Sequence, residues 1–335
     1  MKQISLTAPG GLDNLVMTDV ADAAAPAAGE ITVRLHANAL NFHDYLVCTR
    51  EIGAADGRIP MADGAGEVTA VGDGVSEFSV GDAVVSCFFP DWQDGDDLPS
   101  GFARVPGDGI DGYAREAVTL PATWFTRAPK GWTHAEAATI TTAGLTAWRA
   151  LVVDGGLMPG QTVAVLGTGG VSIYALQLAK AMGARVIATS SSDEKLAKLT
   201  DMGADHVINY RTTPDWGTEM QRLTDGRGVD LVVEVGGPAT LAQSIEAGRP
   251  GAHLALIGVL TGISGEIPTA AMMRKQQKLQ GLIVGSRKHQ MDFVAALETL
   301  GIRPVIDSTF GLADLAGAFR HQGSGAHFGK ICVTM

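Results

Sequence analysis

Residues 161–192 read QTVAVLGTGGVSIYALQLAKAMGARVIATSSS, and this stretch decides the fold. The run 162–166 is short, apolar and rich in branched residues, which suits a buried strand. It ends at Gly167-Thr168-Gly169-Gly170. Val171, Ala175, Leu178, Ala179 and Met182 then recur with a helical period, and Gly183 supplies the stop. A second apolar run, 185–188, is the next strand. Strand, glycine turn, helix and strand within about 30 residues is the context that a dinucleotide fingerprint requires. The glycines let the chain turn sharply and approach a pyrophosphate, whose charge falls at the helix N-terminus. Counted as G-x-G-x-x-G, the third glycine position holds Ser172, which is small enough to stand close to the strand. We therefore expect Gly167, Thr168, Gly169, Gly170 and Val171 to bind a dinucleotide. The alternative is a plain βαβ unit with a glycine-rich turn.

Downstream, strands and helices keep alternating. Helices are expected over 193–202, 216–224 and 240–247, and strands over 206–209, 229–235, 253–257 and 279–284. That is a doubly wound parallel sheet of about six strands. Upstream, residues 1–126 read as short strands punctuated by glycine, among them 30–35, 64–72 and 81–85. Such spacing suggests a small barrel-like unit. Residues 37–50 read as a loop entering a short helix, and the acidic stretch 91–97 as a solvated loop. Thr133 with Glu136 is a capping-box signature that opens a helix carrying Ala137, Ala138, Leu145, Trp148 and Leu151. A closing segment has helices over 291–300 and 312–319, with strands near Val305 and over 330–334; it completes the first unit rather than forming a third. The expected division is 1–126, 127–284 and 285–335.

Composition narrows the function. With 335 residues, 46% of them hydrophobic and 18% charged, the chain has material for about two globular domains with ample core. No apolar run reaches the ~20 residues of a membrane span, and the N-terminus lacks a signal-peptide core, so a cytoplasmic protein is expected. Cys48, Cys87 and Cys332 are scattered and imply neither a disulfide framework nor a cysteine metal site. A net charge of −11 repels polyanions, which argues against nucleic acid as a partner.

An acidic residue at the end of the second strand of such a sheet holds the ribose 2′-hydroxyl of NAD. Here the position carries Thr189-Ser190-Ser191-Ser192, and no carboxylate appears before Asp193. Hydroxyls without a carboxylate suit a 2′-phosphate. Lys195 adds a cation one turn into the next helix, and Tyr210-Arg211 follows the third strand. Ser190, Ser191, Ser192, Lys195 and Tyr210 are thus expected to select NADP(H); the same serines also read as helix caps. Gly236 after the fourth strand, and Gly258 and Val259 after the fifth, lie at strand C-terminal ends that dinucleotides cross. Val284 and Gly285 join them by the same logic.

Taken together these segments resemble the medium-chain dehydrogenase/reductase superfamily, in its zinc-free, quinone-oxidoreductase-like branch. The likeness rests on residues 38–47, on Gly64-Ala65-Gly66-Glu67-Val68 with Val71-Gly72-Asp73-Gly74-Val75, and on Val80-Gly81-Asp82. Ala143-Gly144-Leu145-Thr146-Ala147-Trp148, the glycine turn, residues 203–210 and His327-Phe328-Gly329-Lys330 complete it. The resemblance implies a GroES-like β-rich catalytic domain completed by the C-terminal segment, a Rossmann NADP-binding domain between, a site in the cleft, and a homodimer. It implies hydride transfer between nicotinamide and a small carbonyl or alcohol, with enone or quinone reduction as the alternative. A non-catalytic NADPH-binding sensor or structural protein is the reading from another class. The resemblance also makes Lys330 similar to the family's late cofactor-proximal lysine.

The departures from the family's zinc enzymes matter as much. Those enzymes have a cysteine where this chain has Asn41, a Gly-His-Glu stretch where it has Met61-Ala62-Asp63, and a cysteine or aspartate near Thr142. No cysteine lies in 88–112, where a structural zinc lobe would stand. No zinc is expected. Charge arising on the substrate oxygen must then meet hydrogen-bond donors. Asn41, Tyr45 and Thr142 are the candidates, with His43 a lesser one as a proton relay. Phe42, Phe88, Phe89, Trp92 and Ile263 are the side chains expected to shape the substrate pocket.

Overall fold

Thr162–Leu166 is buried along its whole length. It lies between Arg185–Ser190 and Val229–Glu234, parallel to both. A computed structural model describes every residue except Arg50, Asp97 and Pro99. The readings of 37–50 and 91–97 therefore run at their ends outside the described residues. The chain divides into two compact units, 146–283 and 1–145 with 284–335.

In the unit 146–283 the sheet runs His206–Asn209, Arg185–Ser190, Thr162–Leu166, Val229–Glu234, Gly248–Leu256, Lys278–Gly281, every pair parallel. The order reverses at Thr162–Leu166, the switch point at which doubly wound sheets bind their ligands. Strands buried on both faces explain the uninterrupted apolar runs of the sequence. Ala164, Ile187, Val232 and Leu254 meet Trp216, Met220 and Leu241 from the helices in one core. Two boundaries move from the sequence reading. Gly248–Leu256 begins well before His253, across a register shift between Val229 and Leu231. The outermost strand, Lys278–Gly281, stops short of Val284, whose left-handed backbone (φ 48°) cannot continue an extended chain.

In the other unit the spine is Glu30–Ala39. It pairs antiparallel with Ala65–Val71, Ala117–Pro121 and Lys330–Thr334. Ala65–Val71 passes the sheet to Ala83–Ser86 and Phe125–Arg127, and Lys330–Thr334 pairs in parallel with Ile306–Gly311. Glycine is obligatory at 66, because a Cβ there would stand 1.9 Å from the Arg34 carbonyl oxygen. Thr133 and Glu136 form the full capping box that opens His134–Ala138. That helix packs on Glu30–Ala39, Ala65–Val71 and Ala83–Ser86. It widens into a π-helical turn at Ile140–Gly144. Wide turns of this kind recur at functional sites, and this one holds Thr142. Among the described residues no helix is long and apolar enough to cross a membrane.

Candidate active site

Glu30–Ala39 ends beside the first turn of the helix Phe42–Thr49. Asp44, in that turn and buried, accepts three hydrogen bonds. Its Oδ2 takes the Asn41 backbone N–H and Asn41 Nδ2, both at 3.0 Å, and its Oδ1 takes the Ala62 N–H at 2.9 Å. Asn41 Nδ2 also donates to the Ala39 carbonyl at 3.3 Å. Lys330 donates from Nζ to Asn41 Oδ1 at 2.6 Å and to the Leu40 carbonyl at 2.5 Å. Opposite charges thus fix the amide, oxygen toward ammonium and nitrogen toward carboxylate. Both Asn41 hydrogens are engaged within the protein.

Asp63 closes the network. It is completely buried, Thr142 Oγ1 donates to its Oδ1 at 2.5 Å, and its Oδ2 lies 3.8 Å from Lys330 Nζ with no hydrogen bond of its own. Burial pushes the Asp63 carboxyl up to about 7; the Lys330 charge pulls it down and the Asp44 charge pushes it up. Of these groups Asn41, Asp44, Asp63 and Lys330 are buried, and Thr142 is half-buried. Two residues before Asp63, the buried Met61 holds a left-handed backbone (φ 79°). Non-glycine residues in that conformation cost of order 1–3 kcal/mol and collect at functional sites.

The donor set does not fit zinc. Zinc is held by thiolate, imidazole and carboxylate groups, whereas here an amide, a hydroxyl and two carboxylates, one of them spent on three N–H donors, share the network with an ammonium that would repel a dication. Among the described residues no three His, Cys, Asp or Glu side chains converge on one point.

The remaining candidates of this unit lie apart from the network. Tyr45 stacks on Phe42 and packs against Phe319, with its ring against Gly323. His43 Nε2 meets Asp108 Oδ2 at 3.1 Å, and its ring contacts Phe88 and Phe102. Phe88, Phe89 and Trp92 are buried in one aromatic cluster, while Phe42 is exposed. Asp91 is tied by Arg104 and Ser100. Val284 is buried, Gly285 faces His289 and Leu145, and Ser286 caps the helix Arg287–Leu300.

In the unit 146–283 the glycine turn faces open space. Gly167 is left-handed (φ 72°), and a Cβ on Gly167 or Gly169 would meet no atom within 4 Å. The helix Gly170–Ala181 starts directly behind this open space. Ser172 stands buried against the strand, its hydroxyl donating to the Leu166 carbonyl at 2.6 Å. That bond explains how serine serves where the fingerprint has glycine. Ser190 Oγ accepts the Ser192 N–H at 3.3 Å, and Ser192 caps the next helix by accepting the Lys195 N–H at 3.4 Å. Ser191 and Lys195 are half-buried and Tyr210 is exposed. Asp193, the nearest carboxylate, is held by Asn209 Nδ2 at 2.7 Å.

Sequence reasoning passed over three carboxylates: Asp44, Asp63 and Glu234. Glu234 is completely buried at the end of Val229–Glu234. Its Oε1 accepts the N–H groups of Gly236 (2.8 Å) and Gly237 (2.9 Å) and the Thr240 hydroxyl (2.6 Å); Ser244 Oγ donates to its Oε2. Gly258 must pass so close that a Cβ would lie 1.5 Å from the Val235 oxygen, and Val259 beyond it is exposed. A charge closing the apolar run VDLVVE was the available signal for Glu234. Asp44 had one too, at the third residue of a helix begun by Asn41. Asp63 had none.

Two family models match, an alcohol dehydrogenase GroES-like domain over residues 27–130 and a zinc-binding dehydrogenase over residues 170–308. A zinc-type alcohol dehydrogenase-like protein of Schizosaccharomyces pombe is 39% identical over 323 residues, 92% of this chain and 91% of its own. A crystal structure from Sinorhizobium meliloti, described as an alcohol dehydrogenase, superposes with TM-score 0.92 and 38% identity over 100% of this chain and 99% of its own. Another, described as an NAD-dependent alcohol dehydrogenase, gives TM-score 0.90 and 32% identity over 100% of both chains. The protein is therefore a member of the medium-chain dehydrogenase/reductase superfamily, a family of nicotinamide-dependent oxidoreductases built from a GroES-like and a Rossmann domain.

Proposed function

We propose that this chain is a zinc-independent, NADPH-dependent oxidoreductase interconverting a small carbonyl compound and its alcohol. The observation that carries the reading is the Lys330 ammonium seated between Asn41 and Asp63, where it excludes a metal ion and leaves hydrogen bonding to stabilise the substrate oxygen. NADP(H), when bound, supplies or accepts the hydride. Gly167, Thr168, Gly169, Gly170 and Val171 take the pyrophosphate, and Ser190, Ser191, Ser192, Lys195 and Tyr210 the 2′-phosphate end. The backbones of Gly236, Gly258 and Val259 take the ribose and nicotinamide. Thr142 presents its hydroxyl to the substrate oxygen, and Asn41 and Asp44 hold the frame behind it. The NAD-dependent relative makes the cofactor choice the sharpest point to test. A homodimer joined at the outermost strand, Lys278–Gly281, suits the exposed Ile263, Ile267, Met273 and Ile283 of that region.

The test uses purified, chelator-treated protein with NADPH or NADH and a panel of aldehydes, ketones, enones and quinones. Reduction of an aldehyde or ketone with NADPH preferred is the expected result. No NADPH oxidation with any class overturns the reading, and NADH bound as tightly as NADPH overturns the role of residues 190–195. Activity lost to chelator and restored by zinc overturns the metal-free site. Turnover of quinones or enones alone moves the substrate to the alternative class.

A further inference from the structure

We infer that Asp63 and Thr142 form a two-step proton relay, with Asp63 as the buried acid and Thr142 as its outlet to the substrate oxygen. The inference rests on the oxidoreductase reading above and names what serves the proton in it.

The geometry makes the pair reversible. Oγ1 of Thr142 and Oδ1 of Asp63 are 2.5 Å apart. With Asp63 ionised, the Thr142 hydrogen points inward to Oδ1 and the hydroxyl offers its lone pairs outward. With Asp63 protonated at Oδ1, the carboxyl donates to Thr142 Oγ1, and the Thr142 hydrogen is free to point outward. One state is a donor suited to carbonyl reduction and the other an acceptor suited to alcohol oxidation.

Lys330 assigns the proton to the correct oxygen. Its ammonium stands 3.8 Å from Oδ2, which accepts no hydrogen bond. A positive charge beside Oδ2 disfavours a proton there and leaves it on Oδ1, toward Thr142. The other groups facing Asp63 cannot serve. Asp44 spends its oxygens on three N–H donors. Burial pushes the Cys332 thiol up to about 12, so it holds its own proton throughout. Beyond this circle, His43 is turned to Asp108 and Tyr45 to Phe319. Burial also places the Asp63 carboxyl where it exchanges its proton at about neutral pH, which is what a general acid and base needs.

The step balances. The carbonyl carbon gains the hydride with its electron pair, the carbonyl oxygen gains the Thr142 hydrogen, and Thr142 recovers a proton from Asp63. Asp63 is left as a carboxylate beside Lys330 and is reprotonated through Thr142 from water once the alcohol has left. Oxidation runs the same path backwards.

The experiment compares wild type with Asp63→Asn, Thr142→Val, Thr142→Ser and Lys330→Met. In cofactor-free protein, pH-difference infrared spectroscopy should show one carboxyl titrating near pH 7. It should persist in Thr142→Val, vanish in Asp63→Asn and move upward in Lys330→Met, because the ammonium holds it down. In turnover, kcat/KM for reduction should fall as pH rises through about 7. Asp63→Asn and Thr142→Val should lose roughly 10²-fold in rate together with that inflection, while Thr142→Ser, which retains the hydroxyl, keeps the inflection. NADPH affinity, read by fluorescence, should stay near wild type in Asp63→Asn and Thr142→Val, separating relay loss from misfolding. The relay is overturned if the infrared band survives Asp63→Asn, or if Thr142→Val keeps the wild-type rate and profile. A wild type that oxidises NADPH with none of the aldehydes, ketones, enones or quinones overturns the oxidoreductase reading and the relay together; an active wild type unaffected by Asp63→Asn overturns the relay alone.

Discussion

Replacing Glu234 should loosen the loop assigned to the cofactor. Its carboxylate is completely buried and accepts the Gly236 and Gly237 N–H groups at 2.8 and 2.9 Å and the Thr240 hydroxyl at 2.6 Å, with Ser244 on its other oxygen. In Glu234→Ala, Thr240 keeps a second acceptor in the Gly237 carbonyl at 3.1 Å. The two backbone N–H groups have no such substitute. Orphaned buried donors cost about 1–3 kcal/mol each, and the emptied space adds a cavity term; the buried charge that is removed offsets part of the sum. The net expectation is a loss of roughly 2–5 kcal/mol. Glu234→Gln keeps an oxygen for the loop and an amide for Ser244, so about 1–2 kcal/mol is expected from weaker, uncharged bonds. Urea unfolding of the three proteins at one pH, followed by NADPH titration, measures both effects. NADPH affinity should fall in the same order as stability. An Ala variant within 0.5 kcal/mol of wild type, a difference too small for any named mechanism, would refute the assignment of Glu234 as the brace of this loop.

Two further outcomes follow from the same physics. Ser172→Gly restores the fingerprint glycine yet should destabilise by about 1–2 kcal/mol, since it deletes the bond to the Leu166 carbonyl and places glycine in a helix; thermal unfolding against Ser172→Ala separates the two contributions. Asp63 makes wild-type stability depend on pH in a predictable direction. Its carboxyl lies near 7 when folded and at the ordinary carboxylate value when unfolded, so the folded state binds more protons between about pH 4 and 7. Wild-type stability relative to Asp63→Asn should therefore decline as pH rises through that window, by at most about 1.4 kcal/mol per pH unit, and level off above it. Urea midpoints for both proteins from pH 4 to 9 provide the check.

What could be read from the sequence was what local pattern encodes. Thr162–Leu166 and Val229–Glu234 are buried on both faces, so their apolar runs are continuous, and the glycine turn between strand and helix is contiguous in the chain. Thr133 and Glu136 stand three residues apart, and their reciprocal capping needs nothing else. The resemblance to the dehydrogenase family also drew attention to Asn41, Thr142 and Lys330. Orientation was beyond reach. Which way the Asn41 amide faces depends on Lys330, 289 residues away, and on Asp44. Asp63 sits in MADGAG, a stretch whose composition resembles any exposed turn. Only the pairing of Glu30–Ala39 with both Ala65–Val71 and Lys330–Thr334 buries it beside an ammonium. The π-helical turn that carries Thr142 leaves no periodic trace, because one widened turn shifts register by a single residue.

The strand Lys330–Thr334 sets an order of events during synthesis. Residues 146–283 are contiguous, so their sheet can form as they leave the ribosome. Asn41 must wait for Lys330 through 289 residues, about 15–60 s at typical elongation rates of about 5–20 residues per second. Throughout that interval the Ala37–Ala39 end of Glu30–Ala39 lacks its partner strand, and Asp63 lacks the ammonium that stands beside it in the finished fold. The half-built sheet thus carries an open edge, the kind of surface on which a strand of another chain can add.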